Sequence, residues 1–93
     1  MTTLEQVAPV TEAAISDRLN ARLARQIERD HGVDVEKARR IVSGTVTFLR
    51  VCALNPGRAL RPSEAIDIGW HAFILNTADY ADFCHRVAGR FIL

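Results

Sequence analysis

The sequence predicts an all-α fold, a single small domain of about four helices, and three observations carry that reading. Every long segment between turn signals repeats its apolar residues at helical spacing. The turn signals (Pro9, His31-Gly32, Asn55-Pro56-Gly57, Arg61-Pro62 and Gly89) leave stretches of helix length between them. The 93 residues hold one compact domain, and a 48% hydrophobic share is more than a disordered tail carries. A multidomain enzyme is excluded by length. Residues 1–10 read as a flexible N-terminal segment and residues 11–93 as the helical domain.

The first helix is expected over residues 11–30, with Thr11 as its N-cap and Gly32 as its stop. Ile15, Leu19, Leu23 and Ile27 recur at four-residue steps and form a slowly drifting apolar stripe. Residues 34–54 form the central helix. Asp34 is its N-cap, and Val35, Ala38, Ile41, Val42, Thr45, Val46, Leu49, Cys52 and Ala53 share one broad face. The many β-branched residues hint at a strand, but the 3.6-residue spacing and the length decide for helix. Gly44 in its middle costs on the order of 1 kcal/mol relative to Ala, which points to another helix packing closely there.

The third helix begins at Ser63 after Pro62, with Glu64 in the first turn where it complements the helix dipole. Ile66, Trp70, Phe73 and Ile74 are its expected buried face. Asn76 or Thr77 recaps the chain into a fourth helix, whose core stripe is Tyr80, Phe83, Cys84, Val87 and Phe91. Short connections complete a small helical bundle.

Twelve basic and eleven acidic side chains give a formal net charge of +1, so no global charge excess names a partner. Cys52 and Cys84 belong to no CxxC pair, which argues against a metal knuckle or a disulfide scaffold. No signal-peptide pattern precedes the helices, and no apolar stretch approaches the roughly 20 residues of a membrane span. The expected compartment is the cytoplasm, with no membrane partner.

The charge is unevenly spread. Residues 18–61 carry ten basic side chains against four acids, whereas residues 63–93 carry two against four. Within the first helix Arg18, Arg22, Arg25 and Arg29 fall in an arc of roughly 60°, displaced by something like 110° from the apolar stripe. Such a ridge suits phosphate backbones or an acidic partner, because clustered guanidiniums pair bidentately and release counterions. It equally suits a solvated helix face paired with acids from elsewhere in the fold. No Asn, Gln or Ser pattern aimed at base edges accompanies it, and no aromatics alternate with it.

The second notable segment runs from Asp67 to Cys84. Asp67 and His71 are one helical turn apart, so the carboxylate can accept from an imidazole nitrogen and fix its tautomer. That is half of an orienting pair of the kind found behind metal ligands and general bases, and also a common way to satisfy a partly buried histidine. A metal needs three or four converging ligands, and only His71, Cys84, His85, Asp67 and a distant His31 offer themselves. Neither a metal nor a cofactor is expected. Nucleophilic catalysis by Cys84 is disfavoured by its place in the core stripe, and Cys52 reads as a small core hydrophobe.

The string D-x-x-W-H-x-F-I-L-x-T-x-x-Y-x-x-F-C from Asp67, followed by Ala88-Gly89-Arg90-Phe91-Ile92, resembles an element of the glycine-rich-domain-containing proteins and of short actinobacterial proteins related to them. The likeness covers residues 62–92. It marks Asp67, Trp70, His71, Leu75, Thr77, Tyr80 and Cys84 as characteristic positions and implies a helical domain, without supplying a reaction. Two departures stand out: Phe73 occupies the place of a second histidine, and the sequence ends at Leu93 where relatives continue into histidines. The apolar ending Phe91-Ile92-Leu93 is expected to dock on the domain or on another protomer.

These features lead to a non-enzymatic helical binding or adaptor module, self-associating as a homo-oligomer or binding a protein partner. Trp70, Tyr80, His71 and Asp67 are its candidate binding residues. The alternative is a nucleic-acid-binding module using Arg18, Arg22, Arg25 and Arg29. A third reading, an enzyme centred on His71, lacks a nucleophile elbow, a glycine-rich phosphate loop or paired-carboxylate spacing.

Overall fold

Short polar residues open three of the four helices. In the computed structural model, which describes residues 15–92, Ser16 Oγ accepts from the Leu19 amide at 3.1 Å, Asp34 Oδ1 from Lys37 at 2.8 Å, and Ser63 Oγ from Ile66 at 3.2 Å. Each satisfies an amide that the first helical turn leaves without a partner. The helices that follow are α1 (Asp17–His31), α2 (Val35–Leu54), α3 (Glu64–Leu75) and α4 (Thr77–Ala88), with no strand among the described residues. The all-α reading with four helices therefore holds.

The α1 boundary differs from expectation. Ser16, with extended backbone and an engaged side chain, starts the helix at Asp17 and so breaks the run expected from Thr11. Thr11 itself and the segment 1–10 lie outside the described residues. Asp34 and Ser63 cap as the sequence predicts.

The core is built mainly from α1 and α2. Leu23, Ala24 and Ile27 of α1 and Ala38, Val42, Thr45 and Leu49 of α2 are almost completely enclosed. Phe73 of α3 and Phe83 of α4 are fully buried, and Phe73 stacks edge-on to Tyr80 at 5.1 Å and tilted against Phe83 at 5.2 Å. The approach of α2 and α3 is set by Gly69. A Cβ there would lie 2.0 Å from Thr45 Oγ1 and 3.0 Å from Ile41 Cγ2, so only hydrogen fits. Gly44 also faces α3, as its sequence position predicts, but a Cβ there would meet only the tip of the Ile66 side chain, at 2.8 Å.

Three expected stripes need correction. Phe91, placed in the core by counting along α4, is 56% exposed, while Ile92 is buried in its stead. The helix stops first: Gly89, at φ 72°, donates to the carbonyls of Cys84 and His85 and turns the chain, so helical spacing no longer applies beyond it. Ile74 is 43% exposed because α3 buries the side bearing Gly69, Ala72 and Phe73. Val35, in the first turn of α2, also faces solvent.

Candidate functional site

Eight of the twelve residues of α3 are hydrophobic, while Glu64, Asp67 and His71 fall together within an arc of roughly 60°. Here α1, α2 and α4 cover only one side. The opposite side presents Glu64, Asp67, Ile68, His71, Ile74 and Leu75, with Leu75 59% exposed. Five residues of α3 and His31 from the end of α1 line an open groove of about 520 Å³: Asp67, Ile68, Trp70, His71, Ile74 and His31.

Three of the four candidate binding residues thus meet in one place. Asp67 and His71 are both exposed, yet no hydrogen bond joins them, and neither has a partner among the described residues. The expected orienting pair does not form; at an open surface, water competes for both groups. Trp70 straddles the wall of the groove. Its ring packs on Phe48 at 5.6 Å, and its indole Nε1–H donates to the Tyr80 hydroxyl at 2.9 Å.

Tyr80 takes the core place its stripe predicts and stands apart from the other three candidates. It is buried, does not line the groove, and its hydroxyl donates to the Ile92 carbonyl while accepting from Trp70. Burial pushes its phenol well above the ordinary range. The Trp70, Tyr80, Ile92 relay answers where the apolar C-terminal tail goes: Ile92 docks on its own domain. Phe91 lies over the Tyr80 ring from outside, with centroids 6.2 Å apart.

The arginines of α1 are all exposed, but they do not form one equivalent row. Arg22 forms an ion pair with Asp79, and its Nε donates to Asn76 Oδ1 at 3.3 Å. Asn76 in turn donates to Gln26 Oε1 and to the Ala72 carbonyl, both at 3.0 Å. This polar junction clamps α1 to the α3–α4 corner and uses Arg22 internally. Arg18, Arg25 and Arg29 have no partner among the described residues.

Among the described residues no group of three or more His, Cys, Asp or Glu is placed to hold a metal. His31 does join His71 and Asp67 at the groove, a juxtaposition the sequence leaves hidden because it depends on how α1 ends beside α3. Cys84 is buried and Cys52 half-buried. Burial raises the Cys52 thiol above its ordinary value, and the Arg90 guanidinium partly offsets that. A second hollow of about 440 Å³ lies between the 55–60 loop and the tail, lined by Arg58, Arg90 and Cys52. There Arg90 reaches the Cys52 carbonyl at the C-terminal end of α2, at 3.5 Å. No described helix is long and apolar enough to cross a membrane.

A family model described as UCP032817-like matches residues 5–93, nearly the whole chain. The chain belongs to the UCP032817-like family. Its description names no reaction, ligand or partner, so membership adds extent rather than chemistry: the family pattern spans all four helices and the Trp70, Tyr80, Ile92 relay. No curated protein and no solved structure matches the chain.

Proposed function

We propose that this member of the UCP032817-like family is a non-enzymatic, cytoplasmic helical binding module whose working surface is the outer face of α3. The observation that carries this reading is the exposure of apolar side chains of α3 beside its polar stripe, on the side its own chain leaves open. Ile74 and Leu75 are 43% and 59% exposed, next to the groove that holds His31, Asp67 and His71. Exposed contiguous apolar surface rimmed by polar groups marks interaction sites in small domains. A half-buried Trp beside them is the residue type that anchors interfaces. Asp67 and His71 supply polar contacts at the centre, and Tyr80 supports the surface from beneath through Trp70. The likeness of residues 62–92 to the glycine-rich-domain-containing proteins belongs to the same proposal.

The test compares affinity capture from cells expressing the tagged full chain with capture by its Ile74→Glu variant. The expected result is a protein captured by the parent and lost from the variant, while circular dichroism shows both folded. Identical capture profiles for the two proteins would defeat the reading.

A second reading rests on Arg25 and Arg29, which are exposed and unpaired among the described residues and stand beside each other on α1. They favour an acidic partner or nucleic acid, without the help of Arg22, which is engaged with Asp79.

A further inference from the structure

We infer that the occupant of the α3 face is a second copy of this chain, with the two α3 helices packed antiparallel about a two-fold axis passing between Asp67 and His71. The inference rests on the reading of α3 as the docking face, and it adds the partner and the orientation. Asp67 and His71 stand on adjacent turns of the open side, about 6 Å apart along the axis. Turning one helix end for end about their midpoint sets each Asp67 opposite the partner's His71, twice over. The same operation sets Ile68 on the same flank as the partner's Ile68, and Trp70 on the other flank with the partner's Trp70.

A parallel pairing does the reverse. It opposes carboxylate to carboxylate and imidazole to imidazole, an arrangement that costs stability wherever both members are charged. The face is therefore self-complementary in one orientation only, the condition for a closed isologous dimer. The groups are also available, since neither Asp67 nor His71 is engaged within the chain among the described residues. The antiparallel operation brings Ile74 level with the partner's Glu64, so that Ile74→Glu sets carboxylate against carboxylate at both ends of the contact.

The experiment is sedimentation equilibrium on the full chain from micromolar to near-millimolar concentration. The parent protein is expected to double in mass, and Ile74→Glu to remain monomeric with an unchanged helical spectrum. Asp67→His, which places imidazole against imidazole, is expected to weaken the dimer about tenfold, the combined loss of two surface pairs. The exchanged double variant, Asp67→His with His71→Asp, is expected to recover most of that loss. Orientation is read separately. On a Cys52→Ser background, Asp67→Cys chains are mixed with His71→Cys chains and oxidised, and mixed disulfides are expected to exceed the homodisulfides.

A parent chain that stays monomeric throughout overturns the inference, as does an excess of homodisulfides. If that monomer still loses a captured protein through Ile74→Glu, the occupant is a different protein and the docking reading survives. If capture is unchanged as well, both fall.

Discussion

One oxygen atom, the hydroxyl of Tyr80, joins three parts of the chain: it accepts from the Trp70 indole and donates to the Ile92 carbonyl. Tyr80→Phe leaves both groups without their partner in a largely enclosed place. It is expected to destabilise the domain by about 1–3 kcal/mol in urea unfolding followed by circular dichroism. The raised phenol also sets an alkaline limit. Because the folded state resists ionisation, its stabilising contribution is fully present below the ordinary tyrosine value of 10.0 and is lost as pH climbs above it. Unfolding free energy is therefore expected to fall above about pH 10 in the parent, with a shallower fall in Tyr80→Phe. The comparison belongs on a Cys52→Ser background, because burial raises that thiol too. Asn76 is a second keystone: its side chain meets Arg22, Gln26 and the Ala72 carbonyl. Asn76→Ala is expected to cost about 1–2 kcal/mol in the same assay, since several acceptors and donors lose their partner together.

At the level of elements, two glycines where α2 meets α3 separate steric need from accident. Gly69→Ala drives a methyl group into Thr45 Oγ1 and is expected to cost about 1–3 kcal/mol. Gly44→Ala meets only the flexible end of Ile66 while gaining about 1 kcal/mol of helix propensity, so thermal melts are expected to show little net change. Sequence spacing points to Gly44 and passes over Gly69, because a glycine between Ile68 and Trp70 looks the same on paper whether or not another helix approaches it. The same limit governs the rest. Caps and periodicity are local, so the N-caps Asp34 and Ser63 and the stops at Gly32 and Gly89 are readable from neighbouring residues. Which apolar positions of α3 are covered is a long-range matter: its polar stripe of Glu64, Asp67 and His71 marks the open side without showing that Ile74, next to it, stays uncovered. Ile74 reads as a core residue for that reason. Tyr80 reads as core by its stripe and as a marked position by the family resemblance, and neither shows that it stands beneath the groove rather than in its lining.

Across the whole molecule, charge and apolar surface are kept apart: Arg18, Arg25 and Arg29 lie along α1 and the open apolar groove along α3. If the basic side binds nucleic acid, retention on immobilised polyanion is expected to fall steeply with salt. Arg25→Glu with Arg29→Glu then flattens the logarithmic salt slope by about one for each phosphate no longer engaged. Retention equal to the parent's across the salt range would remove that role and leave the groove as the working surface.

The buried Ile92 has a consequence for the lifetime of the chain. A protease cut on the N-terminal side of Ile92 takes away a core residue that is 3% exposed and whose carbonyl holds Tyr80. Removing it opens a cavity and leaves a hydroxyl unanswered in one cut. Loss of Ile92 is thus all or nothing: chains that keep it remain folded, and chains that lose it become substrates for complete degradation.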